Sequence, residues 1–417
     1  MGRLVSETGP ARLRLPPRAA PPYINAMRRI YLDHQATTPC DPAVVAAMMP
    51  HFADSFGNPH SDEHAMGQEA REAVEAARAE VAALIGGDPR EVVFTSGATE
   101  ANNIAIKGAA RHARSVGDPR RRIVTVTTEH KCVLESVADT AGDGFEPVVL
   151  PVDADGRLDL ERLRDALRVP TLLVSVMAAN NETGVLQDLP ALAAIAREAG
   201  ALVHSDLAQA AGKVAVDVER WGLDLASLSA HKLYGPKGVG ALWVRRRPRV
   251  RVAPLFSGGG QERGLRSGTL PTPLLAGFGV ACRLAQAAWP EESERLAVLR
   301  ARMLERLRGA IPGVAVNGSM RHRLAGNLHL TFPDVAALAL IRACPSLALS
   351  TGSACTSAAV TPSAVLTAMG LDPAAASRSL RVGLGRTTSA ADVEDASDAL
   401  IAAHHRLASR ATADAGA

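Results

Sequence analysis

The sequence predicts an α/β fold: a large, mostly parallel sheet covered on both faces by helices, followed by a smaller α+β lobe. Two observations predict it. Short β-branched runs alternate with amphipathic helical stretches through much of the chain. Polar residues able to do chemistry follow directly after these runs, where open α/β sheets bind their ligands. The 417 residues fit two lobes better than one small core.

The elements follow in order. Residues 1–27 are rich in Arg, Pro and Ala without an apolar period, so a disordered extension is expected there. That stretch has no apolar secretory segment, and Glu7 and the prolines argue against a transit peptide. Gln68–Ile85 reads as an amphipathic helix ended by Gly86-Gly87. Strands are expected at Val92–Thr95, Ile123–Thr127, Leu172–Val176, Leu202–Ser205 and Leu225–Leu228. Helices such as Leu160–Arg168 and Leu189–Glu198 separate several of them. Ala241–Val244 reads as a further strand. From about residue 286 the pattern changes to a long helix, Glu291–Gly309, then short strands around Leu328–Phe332 and Leu347–Ser350.

Composition excludes several classes of function. Apolar residues make up 47% and charged residues 21%, as in ordinary soluble proteins. The formal net charge is +3 and the charges are interspersed, so no direct nucleic-acid footprint is expected. No apolar run is long enough to span a bilayer. Five widely spaced cysteines without a C-x-x-C pair argue against a metal site and for reduced thiols in a cytoplasm.

The residues after each expected strand form one set. Ser96-Gly97-Ala98-Thr99 is a Gly turn opening a helix, a phosphate seat or a plain N-cap. Glu129 and His130 follow the second strand, and Asn180 and Asn181 the third. Asp206 follows the fourth, with Gln209 one turn later; Ser229, His231 and Lys232 follow the fifth. Lys232 can form a Schiff base with an aldehyde cofactor if its amine is partly desolvated. Lys237, in a Gly-Pro-Lys-Gly turn, is its rival, and only five of the 46 basic residues are lysines. Asp206 suits a protonated pyridine nitrogen or an N-cap, and Gln209 the ring's phenolic oxygen. His130 is placed to stack on the ring and move protons. Ser229 and His231 can add phosphate donors.

Two features lie beyond the sheet. Cys355 sits in Ser350-Thr-Gly-Ser-Ala-Cys-Thr-Ser-Ala, among small and polar residues, which predicts an exposed, mobile loop and a reactive thiol. Cys40, Cys132, Cys282 and Cys344 read as structural. Arg381 suits an amino-acid carboxylate through its two-pronged fork, with Arg386 as competitor.

The chain closely resembles the group I, NifS/IscS-type cysteine desulfurases, fold-type I pyridoxal 5'-phosphate (PLP) enzymes of the class V aminotransferase family. The resemblance runs from about Ile30 to about Ala391. It rests on Tyr31-Leu-Asp-His-Gln-Ala-Thr-Thr-Pro39, Phe56-Gly-Asn-Pro59, Phe94-Thr-Ser-Gly-Ala-Thr-Glu100 and Thr128-Glu-His-Lys131. It continues through Asn180-Asn-Glu-Thr-Gly184, His204-Ser-Asp206, Ser229-Ala-His-Lys-Leu-Tyr-Gly-Pro-Lys-Gly238, Arg266-Ser-Gly-Thr269 and Gly352-Ser-Ala-Cys-Thr-Ser357. The cysteine loop is similar to group I rather than group II, whose loop is shorter.

The resemblance implies a seven-stranded sheet domain over 41–285 and a small domain of 28–40 with 286–417. It implies that Lys232 carries PLP, that Ala98, Thr99, Ser229 and His231 hold the phosphate, and that Asp206 and Gln209 hold the ring. His130 would stack on the ring and assist proton transfer. Asn181 and Arg381 would position L-cysteine. Thr269 would reach the phosphate of a neighbouring subunit, which implies a homodimer. L-cysteine would become L-alanine through a PLP aldimine, leaving a persulfide on Cys355 for a protein sulfur acceptor, as in iron–sulfur cluster assembly or tRNA thiolation. The small, polar Ala/Thr tail lacks the longer aromatic-containing segment with which IscS-type proteins dock an iron–sulfur scaffold, so docking in that manner is not expected. Another class V aminotransferase, a selenocysteine lyase and a non-catalytic sulfur relay are the rivals; Cys355 argues against the first, and Lys232, Asp206 and Cys355 together against the last.

Overall fold

The computed structural model describes residues 28–352 and 362–415. The 1–27 extension and Cys355 lie outside the described residues. The chain enters through β1 (Ile30–Tyr31) and helices α1 (Pro42–Met48), α2 (Pro50–Ala53) and α3 (Ala65–Ile85). Then come β2 (Val92–Thr95), α4 (Ala98–Ser115), β3 (Arg122–Val126), α5 (Lys131–Asp139) and β4 (Glu146–Leu150). They are followed by α6 (Leu160–Ala166), β5 (Thr171–Ser175), α7 (Leu189–Glu198), β6 (Leu202–Asp206), β7 (Leu225–Ser229) and β8 (Gly240–Val244). The remainder is α8 (Thr272–Ala310), β9 (Ala315–Val316), β10 (Asn327–Thr331), α9 (Ala337–Ala343), β11 (Leu347–Ala348), α10 (Ala364–Ala368), α11 (Pro373–Ser377), β12 (Ser379–Gly383) and α12 (Ala390–Ala415).

Strands β2 to β8 form one seven-stranded sheet in the order β2-β8-β7-β6-β5-β3-β4. Only β8 runs against its neighbours; every other pairing is parallel. Its strands are near-continuous apolar runs because helices cover both faces. Helix α3 begins where the His64 ring accepts from the Gly67 N–H and ends at Gly86 in a left-handed conformation. A second, three-stranded sheet, β12-β10-β9, has its own apolar cluster, including Leu328, Leu330, Phe332, Leu380 and Val382. Ile30 and Leu32, from the chain entry, belong to that second cluster.

Four elements differ from expectation. The expected Glu291–Gly309 helix is the second half of α8, which starts at Thr272 and runs through Pro290. Packing on both sides sustains it across the proline: Arg283 pairs with Glu80 on α3, while Arg302 and Arg306 pair with Glu394 and Asp398 on α12. The expected Leu347–Ser350 strand is the two-residue β11, which pairs in parallel with β1. Strands β4 and β12 are additions. Among the described residues no helix is long and apolar enough to cross a membrane, and no cluster of His, Cys, Asp or Glu is placed to hold a metal ion.

Candidate active site

A cleft of about 570 Å³ opens at the carboxyl edge of the large sheet. Because β8 is antiparallel to both β2 and β7, strand β2 points the same way as β7, and so as β6, β5 and β3. All five carboxyl ends therefore share one rim. Ala98, Thr99, His130, Asn181, Asp206, Gln209, Ser229, His231, Lys232 and Arg381 all line this cleft.

Lys232 sits on the short turn after β7 and is half-buried. Its amine donates to the carbonyls of Gln35 (2.6 Å) and Ala36 (2.7 Å). These come from a strap, residues 33–38, that crosses the cleft after β1. Thr37 Oγ1 lies 3.1 Å from His231 Nδ1, and Thr38 Oγ1 donates to the His231 carbonyl and accepts from the Tyr234 N–H. Tyr234 is held at φ 63°, unusual for a bulky residue. The rival Lys237 also lines the cleft but is exposed.

Asp206 ends β6 and is 7% exposed. One carboxylate oxygen accepts from Asn102 Nδ2 at 2.7 Å, the other from the Ala208 N–H at 2.8 Å. Below it, His204 bridges Ser175 Oγ (2.8 Å) on β5 and Ser227 Oγ (3.0 Å) on β7. Burial pushes His204 down to about 4, so its ring stays neutral. Beside Asp206, burial holds the Glu129 carboxyl well above the usual range, while Glu129 Oε1 accepts from the Met177 N–H. A second fixed negative charge next to Asp206 is thereby avoided.

His130 caps α5: its Nδ1 accepts from the Cys132 N–H at 3.2 Å. An accepting Nδ1 places the neutral ring's proton on Nε2. Cys132 also lines the cleft, with Sγ 3.0 Å from His130 Nδ1. Burial and the Asp206 charge push this thiol up to about 12, so it stays protonated and non-nucleophilic.

The turn before α4 fits a phosphate. Helix α4 has no side-chain cap, so its first-turn N–H groups remain available to a ligand. A Cβ on Gly240 would lie 2.6 Å from Gly97 Cα, so the close approach of β8 to this turn requires glycine. His231 is pushed down to about 4 by burial and by Lys232, Lys237 and Lys213, an excess of positive charge that an anion would relieve. An amine at Lys232, a carboxylate at Asp206 and this anion seat match the aldehyde, ring nitrogen and phosphate of PLP.

The other wall comes from the second sheet. Arg381 on β12 is 2% exposed. It donates to Asp33 Oδ1 (2.6 Å), Ser350 Oγ (2.9 Å) and the Asn181 carbonyl (2.8 Å), and its Nε has no hydrogen-bond partner among the described residues. Its competitor Arg386 is instead a clamp, pairing with Asp41 and Glu292 over the Tyr234 ring. Thr269 is exposed and outside the cleft. Its segment is anchored by Glu262, whose carboxylate pairs with buried Arg78 at 2.7 Å and accepts from the Phe94 N–H.

A family model described as aminotransferase class-V matches residues 30–395. The chain belongs to the class-V aminotransferase family. A relative named cysteine desulfurase IscS, from Rickettsia felis, is 48% identical over 369 residues, 88% of this chain and 89% of that protein. A solved NifS-like protein superimposes with a TM-score of 0.82 at 34% identity, covering 91% of this chain and 99% of that one. A structure described as SspA in complex with cysteine gives a TM-score of 0.75 at 36% identity, covering 85% and 98%. As a class-V aminotransferase with such relatives, the chain has the fold-type I architecture of PLP enzymes.

Several residues of this class-V aminotransferase site escaped the sequence reading. Asp33, Gln35 and Ala36 lie in the Tyr31–Pro39 motif, and Asn102 lies one turn into α4. The motif signalled importance without a role: two of its contacts are through backbone carbonyls, which carry no side-chain signature.

Proposed function

We propose that this chain is a cysteine desulfurase that converts L-cysteine to L-alanine and passes the sulfur on through Cys355. The observation that carries this reading is the convergence of Lys232, Asp206, Gln209, His130 and Arg381 on one cleft, in a chain 48% identical to a cysteine desulfurase. PLP bound there would supply an aldehyde for the substrate amine and a ring that withdraws electrons from its Cα. Ala98, Thr99, Ser229 and His231 would hold the phosphate, Asp206 and Gln209 the ring, and Lys232 the aldehyde.

The residues then divide the work. Arg381 and Asn181, which both line the cleft, receive the substrate carboxylate, the charged guanidinium suiting its two oxygens. His130 would stack on the ring and assist proton transfer. Lys232 would hold the aldehyde, and its amine would be available to the Cα proton. Cys355, in the small lobe, attacks the substrate sulfur as thiolate and retains it. We further propose the lobe division 41–285 against 28–40 with 286–417. We also propose a cytoplasmic homodimer in which Thr269 serves the partner's phosphate seat, and a protein as sulfur acceptor. The exposed Thr269 and the distinct apolar clusters of the two sheets support these readings.

The test is paired measurement of alanine and sulfide from L-cysteine, with PLP and a reductant, for wild type and Cys355→Ala. Equal alanine and sulfide from the wild type, with neither from the variant, supports the reading. Full activity of Cys355→Ala would sink Cys355 as carrier and favour a general lyase.

A further inference from the structure

Lys213 is a half-buried lysine with no place in the chemistry above. It ends the turn that follows Asp206, one helical turn beyond Gln209, and its amine donates to Gln209 Oε1 at 3.1 Å. Gln209 is 4% exposed and donates through Nε2 to the Gln35 carbonyl at 2.9 Å. That same carbonyl accepts from Lys232 at 2.6 Å.

The two ends of a glutamine amide have nearly the same shape, so neighbours decide which end points where. An ammonium only donates and a carbonyl only accepts. Lys213 therefore demands the oxygen of Gln209, and Gln35 demands its nitrogen. With Oε1 and one N–H engaged, the second N–H is what the amide offers to the cleft that Gln209 lines. The Gln35 carbonyl is shared with Lys232, so Lys213 supplies the amide's one unshared constraint. Its charge also draws electron density toward Oε1 and makes the outward N–H a stronger donor.

We propose that Lys213 is a positioning residue, whose ammonium fixes the Gln209 amide so that an N–H, not a carbonyl, meets the phenolic oxygen of bound PLP. This rests on the reading of the cleft as a PLP site. Five charged or titratable groups face Lys213: Lys232 and His231 after β7, Glu292 on α8, Arg381 on β12 and His34 in the strap. Burial, reinforced by Lys232 and Arg381 and opposed by Glu292, brings Lys213 down to about 7. Its charge is thus sensitive to what occupies the cleft, and an anionic cofactor favours the protonated form.

The experiment is a pH titration of the visible band of the PLP-bound protein. Both the Gln209 donor and the Lys213 charge favour the form of the chromophore that has lost its proton. Lys213→Met is therefore expected to raise the midpoint by about one pH unit or more, and Lys213→Arg to remain near wild type. In a Gln209→Leu background, Lys213→Met is expected to move the midpoint by less than half as much. Should Lys213→Met not fold, Lys213→Gln also removes the charge while keeping a polar side chain, and is expected to shift the midpoint the same way. An unmoved midpoint in a folded, charge-removed variant, or an equal shift in both backgrounds, overturns the proposal. A wild type that develops no visible band with PLP, or a Lys232→Ala variant that keeps the wild-type band, overturns the cofactor-site reading itself instead.

Discussion

The two ends of the cleft are built differently. At the cofactor end, the positions of Asp206, Ser229 and Lys232 follow from the register of β6 and β7, and the Lys232 amine rests on two backbone carbonyls. At the carboxylate end, Arg381 is held by three separate segments: Asp33 near the chain entry, Asn181 after β5, and Ser350 after β11. The first end depends on the sheet, which no single side chain defines. The second depends on a salt bridge between side chains, so one substitution can disturb it. The Lys232 end is thus a fixed platform and the Arg381 end an assembled contact; on the proposed function, substrate recognition falls at the adjustable one.

Removing the reactive group at the fixed end gives the largest effect. Lys232→Ala is expected to lower kcat by at least about 1000-fold and to abolish the wild-type visible band, with a circular dichroism spectrum unchanged. A loss of fold would show that the platform needs its lysine and break the contrast. At the assembled end, Arg381→Ala is expected to raise KM for L-cysteine by about 10- to 100-fold, the worth of charge-assisted hydrogen bonds, while PLP still binds. Loss of the PLP band in that variant would mean the two ends are not separable.

Asp33→Asn sharpens the comparison further. It leaves the buried Arg381 guanidinium without its counter-charge and is expected to cost about 1–3 kcal/mol in stability, read as a lower Tm. The midpoint of the PLP band should stay put, and a shift would couple the ends through the strap. The last effect, which appears only as pH falls, concerns the platform's support. His204 is depressed from 6.5 to about 4, so the unfolded chain binds a proton there that the folded one refuses. Its neutral form adds stability above pH 6.5 that is lost as pH falls toward 4, on the order of 3 kcal/mol across that window. His204→Gln is expected to flatten the apo protein's stability–pH curve by that difference. A curve parallel to the wild type's would show that another group carries the acid sensitivity.

Most of the platform was legible in the sequence because strand ends are marked by period and composition. The runs at Val92, Leu202 and Leu225 each match a strand start, and the polar residues after them all reach the cleft. Strand β4, Glu146-Pro-Val-Val-Leu150, escaped because it is an edge strand, half-exposed and opened by a charge and a proline. The start of α8 escaped because Pro290 reads as a helix breaker, whereas tertiary packing carries the helix through it. The assembled end was least legible. Arg381 could be nominated from its chemistry, but its competitor Arg386 was excluded only by the clamp with Asp41 and Glu292. Lys213 was visible as one of five lysines, four residues past Gln209; that it reaches that amide is a fact of packing, which no local pattern encodes.

The strap bears on how the protein is made. Its carbonyls meet Lys232 across a separation of 197 and 196 residues, and the strand that introduces it pairs with β11, more than three hundred residues downstream. Contacts of such span form late, after the intervening chain has condensed. The segment that leaves the ribosome among the first of the described residues must therefore wait for β11 before the strand that introduces it can pair. A chain interrupted just before β11 would have the whole large sheet and both partners of the Lys232 contact, but not the strand that anchors the strap. The anchoring of the strap over Lys232 is thereby tied to synthesis of the second lobe.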